Sequence, residues 1–278
     1  MFGRLFSKKN KKTKQEAGVY VKLSDGAVVL GNAQHHGKRN YQEDSFGFSD
    51  ISEDITYNKG ILAVLADGIG GLSNGKDVSE ATVSGILNWF GSNAEAGCTG
   101  EDLKNAICGI NENICEIFCA DGTINSGSTV VAANINNGYL HWFCVGDSRL
   151  YIKRDGKLFA VNEDTDYFNQ LLNKVIAGSM ALDEACSEPQ KDSLAACIGN
   201  REFTVFDYSK KGFKLNDGDI LMLCSDGVYN ALPEEELCQC ITSDAMIACN
   251  DIIERIISKR IPSQDNNTII IMSYQKER

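Results

Sequence analysis

The sequence predicts an α+β protein in which two antiparallel sheets pack face to face and helices cover their outer surfaces. Three observations predict it. Beyond residue 18, ten short apolar runs alternate with turn signals. Several of these turns are tight hairpin types, which join antiparallel neighbours. The remaining apolar residues fall in a few longer segments of helical period.

The expected strands are Val19–Leu23, Val28–Asn32, Ser45–Ser49, Ile61–Leu65, Thr129–Asn134, Leu140–Val145, Arg149–Lys153, Lys157–Val161, Ile220–Cys224 and Thr268–Ser273. Ser24-Asp25-Gly26, Asn136-Asn137-Gly138 and Arg154-Asp155-Gly156 read as hairpin turns between consecutive members. Residues 76–90 put Val78, Ala81, Thr82, Gly85, Ile86 and Trp89 on one helical face. Residues 101–119 do the same with Leu103, Ala106, Ile107, Ile110, Ile114, Ile117 and Phe118, behind Thr99 as N-cap. Residues 244–259 repeat the pattern with Ile247, Ile252, Ile256 and Ile257. Shorter helices are expected at 166–176 and 181–187, and Pro233 suits the first turn of one running to about Cys240.

An apolar fraction of 43% over 278 residues is enough for a core. No run approaches the roughly 18 apolar residues of a membrane span. The first residues lack the apolar stretch and small-residue cleavage site of a secretory signal. Residues 1–17 read instead as a basic flexible tail, with residues 18–278 as one domain. Phe2, Leu5 and Phe6 beside Arg4, Lys8 and Lys9 make the tail a candidate for weak contact with an anionic membrane surface. The net charge is −11 despite that tail, so the body is more acidic still, which argues against nucleic acid as a partner. The expected setting is the cytoplasm, and the expected state a monomer. Eleven cysteines, an odd number, do not read as a disulfide framework in such a chain. Cys108, Cys115 and Cys119 share a helical face but have no CxxC or HxxxH companion, so nearly all the cysteines read as small buried hydrophobes.

One pattern carries chemistry. Three apolar strands end in an aspartate followed by a small residue: Ile61 to Asp67-Gly68, Phe143 to Asp147-Ser148, and Ile220 to Asp226-Gly227. Asp265 comes just before a fourth strand. A single Asp-Gly is an ordinary turn. Repeated on central strands, it gathers carboxylates at one edge of the sandwich, where they repel one another and raise each other's pKa. Hard cations such as Mg2+ and Mn2+ relieve that conflict, since they take carboxylate, carbonyl and water oxygens.

Six segments in order then resemble a family. They are Arg39-Asn40-Tyr41-Gln42-Glu43-Asp44, Asp67-Gly68-Ile69-Gly70-Gly71, Gly127-Ser128-Thr129, Gly146-Asp147-Ser148-Arg149, Ser225-Asp226-Gly227 and Asp265-Asn266-Asn267-Thr268. Together they resemble the motifs of the metal-dependent protein phosphatases (PPM, type 2C) of bacterial type. The resemblance implies an αββα four-layer sandwich and hydrolysis of phosphoserine and phosphothreonine in proteins by water activated between two Mn2+ or Mg2+ ions. It implies that Asp67 bridges both ions with the Gly68 carbonyl on the first, and that Asp226 and Asp265 hold the second. Glu43 and Asp44 then hold metal-bound waters or sit just outside the coordination sphere, Asp147 helps hold a weaker third ion, and Arg39 binds substrate phosphate. Guanidinium suits that role because its planar fork makes paired charge-assisted hydrogen bonds to phosphate oxygens. Ile69 stands where the family has methionine or histidine, and Asn162–Asp166 lacks an expected histidine. Residues from about 165 to 200 would form a variable flap. His35, His36 and His141 are expected in structural or solvent roles. The rival readings are a non-catalytic phosphatase-like binding module, a sigma-factor-regulating phosphatase of the same superfamily, and a calcium module. The last would need its carboxylates within one short loop.

Overall fold

The computed structural model describes residues 18–69, 74–93, 98–118, 126–191, 193–201 and 204–277. The expected tail at 1–17, Gly70, Gly71 and Cys119 lie outside these. The strands are β1 (Val19–Lys22), β2 (Gly26–His35), β3 (Ser45–Phe48), β4 (Ile61–Ala66), β5 (Val130–Asn136), β6 (Tyr139–Val145), β7 (Arg149–Arg154), β8 (Lys157–Ala160), β9 (Asp207–Tyr208), β10 (Phe213–Lys214), β11 (Ile220–Cys224) and β12 (Asn267–Lys276). The helices are α1 (Glu53–Lys59), α2 (Gly75–Asn93), α3 (Gly100–Phe118), α4 (Tyr167–Ile176), α5 (Leu182–Ser187), α6 (Asp226–Tyr229), α7 (Glu234–Cys240) and α8 (Ala245–Ser258).

One sheet runs β1-β2-β12-β11-β7-β8. The other runs β10-β6-β5-β4-β3, with β9 also on β6. Neighbours are antiparallel in both. Two of the hairpins are fixed by their turns. Asn137 and Gly138 have φ of 50° and 72°, and Asp155 and Gly156 have 50° and 74°. This paired left-handed geometry matches the twist of the flanking strands.

The central strands read as unbroken apolar runs because both of their faces are covered. In β4, Ile61, Ala63 and Leu65 face the layer between the sheets, while Leu62, Val64 and Ala66 face outward. This is the two-residue period of a strand applied twice. In β11, Leu221 and Leu223 point inward and Met222 and Cys224 outward. The outer face of β4 and β5 is covered by Ile86 and Phe90 of α2 and by Leu103 and Ile107 of α3. Leu237 of α7 and Ala248, Cys249 and Ile252 of α8 cover the other sheet. The result is the expected αββα layering.

Several expectations are corrected. Ile117 is 71% exposed and Ile257 48%, so neither belongs to its helix's buried stripe. Cys186 is exposed, while Cys98, Cys115, Cys144, Cys197, Cys224, Cys240 and Cys249 are buried. Helices α1 and α6 and strands β9 and β10 were not expected. Thr99 does cap α3, with its hydroxyl accepting from the Asp102 N–H while the Asp102 carboxylate accepts from the Thr99 N–H. No helix among the described residues is long and apolar enough to cross a membrane.

Candidate active site

Strand ends from both sheets meet at one end of the sandwich. Asp67 leaves β4 and Asp226 leaves β11, while Asp265 precedes β12. Asp147 sits in the turn from β6 to β7, which carries the chain from one sheet to the other. The segment from Arg39 to Asp44 links β2 to β3 and makes the same crossing. A cavity of about 120 Å3 lies between them, lined by Arg39, Glu43, Asp67, Gly68, Asp147, Asp226 and Asp265. Ile69, Thr129 and Leu194 complete its wall. Asp44, the remaining residue expected here, stands just behind, its carboxyl interacting with that of Asp67.

The backbone at each strand end is pinned. The Thr129 N–H and the Ser128 hydroxyl both donate to the Asp67 carbonyl, each at 2.8 Å. The Gly68 N–H donates to the Glu43 carbonyl at 3.2 Å. A Cβ on Gly68 would lie 2.5 Å from the Gly75 carbonyl oxygen, so only glycine lets α2 start so close to the site. Asp44 is 5% exposed, and its Oδ2 accepts from the Thr268 hydroxyl at 2.6 Å and the Ser225 hydroxyl at 2.9 Å. Its Oδ1 is buried and has no donor.

Three features here were not evident in the sequence. Asn266 staples the Arg39 loop: its Nδ2 donates to the carbonyls of His36 and Tyr41, each at 3.0 Å, and its Oδ1 accepts from the Glu43 N–H at 2.8 Å. The Arg39 guanidinium donates to Asp265 at 2.6 Å. Arg149 makes a forked pair with Asp164, its closest contact 2.6 Å, and lies 3.7 Å from the centre of the Tyr229 ring. Tyr229 in turn donates to the Asp147 carbonyl at 2.9 Å. The segment lacking histidine binds back through Thr165, whose hydroxyl accepts from the Gly146 N–H at 2.6 Å. Two of the three histidines hold structural places: His35 Nδ1 accepts from the Gly37 N–H, and His36 Nδ1 lies 3.1 Å from the Arg39 carbonyl.

Electrostatically the site is in conflict with itself. Burial, then the charges of Asp44, Asp226 and Asp147, push the Asp67 carboxyl well above the usual range. Asp67 keeps some surface, but it faces the cavity and protein surrounds it on the other sides. Asp44 is pushed up to about 6, chiefly by burial and against the pull of its two hydroxyl donors. Asp147 is pushed up to about 7 by burial and then Asp226, and Asp226 is raised by burial and then Asp265. A carboxyl raised on folding binds protons in the native state that the unfolded chain has released. The stability it contributes is present below pH ~4 and lost as pH rises through the native value. Metal-free protein is therefore expected to melt at a lower temperature at pH 8 than at pH 5, and excess Mn2+ to flatten the difference. Thermal melts with and without the ion check this.

Among the described residues, no three His, Cys, Asp or Glu side chains close around one point as a finished metal cage. The donor set still suits hard cations. It consists of oxygens, the carboxylates repel one another across a shared cavity, and Asp44 Oδ1 lacks a partner. Mg2+ in particular keeps several waters and needs only a few carboxylates, so an open ring of acids fits it better than a closed cage.

Comparison with known proteins identifies the family and the fold. The family model for protein phosphatase 2C matches residues 33–260. The serine/threonine phosphatase stp of Listeria monocytogenes is 26% identical over 239 residues, covering 84% of this chain and 90% of that protein. The solved serine/threonine phosphatase of S. agalactiae superposes with a TM-score of 0.71 at 25% identity, over 90% of this chain and all of that one. The catalytic domain of the phosphatase PstP, solved with two manganese ions, has the same fold at a TM-score of 0.68 and 21% identity, over 90% of this chain and 99% of that one. With its motifs in order, its sandwich and its ring of carboxylates, this chain belongs to the protein phosphatase 2C family of serine/threonine phosphatases.

Proposed function

We propose that the chain removes phosphate from phosphoserine and phosphothreonine in proteins, and that the cavity between the two sheets is where it does so. The observation that carries this reading is the convergence of Asp67, Asp147, Asp226 and Asp265 beside one guanidinium, Arg39. In this reading Asp67, with the Gly68 carbonyl, would hold the dications, and Asp226 and Asp265 would help hold the second of them. Glu43 and Asp44 would act through waters, and Asp147 would serve a weaker third ion. Bound there, Mn2+ or Mg2+ would supply positive charge for the phosphate oxygens and lower the pKa of water at the site. Arg39 spends one nitrogen on Asp265 and keeps the rest of its fork for phosphate. The carboxyls drawn up by burial hold the protons that cation binding would release. Residues from about 165 to 200 would form the flap over one side, with Thr165 bound back on Gly146 and Leu194 on the cavity wall.

The retained acids and Arg39 favour an enzyme over a phosphatase-like binding module. Activity of the purified chain on a phosphothreonine peptide and on p-nitrophenyl phosphate, with Mn2+ or Mg2+, tests the reading; no turnover with either ion would refute it. Arg39→Ala should raise KM for the phosphopeptide. A hydrogen bond to a charged group is worth about 1.5–3 kcal/mol, or roughly ten- to a hundredfold in kcat/KM. The fold should be unaffected, because the Arg39–Asp265 pair is 46% and 35% exposed and such pairs add little stability. Wild-type kinetics in the variant would remove Arg39 from the phosphate site.

A further inference from the structure

A second cavity, of about 370 Å3, lies on the far side of the loop that carries Arg39. Ile256, Ile257 and Ile261 give it an apolar floor, and Lys38, Arg260 and Gln264 stand around it. Ile257 is 48% exposed there, although α8 already covers its sheet through Ala248, Cys249, Ile252 and Ile256. Neither Lys38 nor Arg260 forms a salt bridge among the described residues, in a chain whose net charge is −11. Arg260 also has φ of 50° just past the end of α8, where glycine is the unstrained choice. An aliphatic floor with two uncommitted cations at its rim selects a ligand with an aliphatic group beside an anion.

This pocket shares a wall with the carboxylate cavity. Gly37 and Lys38 line one while Arg39 lines the other, and Gln264 lines one while Asp265 lines the other. The Lys38 N–H donates to the Gln264 carbonyl at 2.8 Å, and a Cβ on Gly37 would lie 2.1 Å from the Asp265 carbonyl oxygen. The two chain segments touch backbone to backbone, and residues adjacent in each segment line the two cavities.

From this juxtaposition we infer that the second pocket is a substrate subsite, which takes an aliphatic side chain next to a carboxylate, a few residues along the chain from the phosphorylated one. The inference rests on the phosphatase reading above and names a substrate class for it: phosphoproteins with acidic-aliphatic flanks. An extended peptide advances about 3.3–3.6 Å per residue, so two to four residues span roughly 7–14 Å, a reach suited to neighbouring cavities.

The test uses phosphothreonine peptides with a Leu-Glu pair stepped from two to four residues before and after the phosphothreonine, against matched peptides carrying Gly-Gln. One placement is expected to lower KM about tenfold with kcat unchanged. That advantage should vanish in a Lys38→Ala, Arg260→Gly double variant and in Ile257→Ser, all of which should keep wild-type turnover of p-nitrophenyl phosphate. Arg260→Gly relieves the left-handed backbone and Ile257 is at the surface, so both variants are expected to fold. A KM that ignores the flanks at every placement, or an advantage that survives both variants, overturns the subsite. p-Nitrophenyl phosphate has no flanking chain, so its turnover judges the phosphatase reading alone. If that turnover is absent, fluorescence polarisation of the labelled peptides still decides: a placement-dependent preference abolished by the variants upholds the pocket, and equal binding of both peptide sets overturns it.

Discussion

Asp67→Asn is expected to lower kcat by roughly a thousandfold or more, a rise of about 4 kcal/mol in the barrier. Among the site's carboxyls, Asp67 is the one whose ionisation is opposed by Asp44, Asp226 and Asp147 together. It therefore sits where the charges of three other carboxyls meet, and a cation there would interact with all of them. Asparagine keeps the shape and removes the charge that lets two dications lie close together. Calorimetry should show loss of at least one tight ion. Folding should survive, because neutralising one member of a mutually repelling buried group relieves the others. Asp147→Ala should be milder if, as proposed, Asp147 serves only a weaker third ion. If Asp147→Ala abolished tight binding while Asp67→Asn kept both ions and full activity, the proposed roles would be reversed at their centre.

Removal of the ions should have an effect as large. Excess chelator is expected to abolish turnover of both a phosphopeptide and p-nitrophenyl phosphate, and added Mn2+ or Mg2+ to restore it. The nearby thiols offer no substitute nucleophile. Burial drives the nearby thiols of Cys144 and Cys224 far from ionisation. Ile69 supplies no proton. Full turnover in excess chelator would defeat the two-ion reading.

Much of the site was legible because its signals are local. An apolar run ending in Asp-Gly, repeated along the chain, marks both a central strand and the carboxylate at its end, as in β4 and β11. What the sequence concealed depends on contacts between distant segments. Asn266 reaches across more than 220 positions to hold His36, Tyr41 and Glu43. Buried Asp44 is held by hydroxyls of Ser225 and Thr268, and no spacing rule links them. Short elements hid for another reason. Helix α6 has four residues, too few to display a period, and α1 buries only Thr56. Ile117 and Ile257 matched the helical pattern but face water, since periodicity marks a face without saying how wide the neighbouring surface is.

The turn from β6 to β7 and the loop from β2 to β3 each pass from one sheet to the other at the site itself. Asp67 hangs from one sheet and Asp226 and Asp265 from the other, with Asp147 in the turn that crosses between them, so the spacing of the four acids is a gauge of how the two halves sit together. Any sliding or thinning of the layer between them, such as Leu65→Ala or Leu223→Ala would produce, should register first as weaker ion binding in a titration, before the melting temperature has moved in proportion. The sandwich then works like the jaws of a calliper, with the ions as the object being measured. Stiffness in the buried layer is what would keep their separation constant through each cycle of hydrolysis.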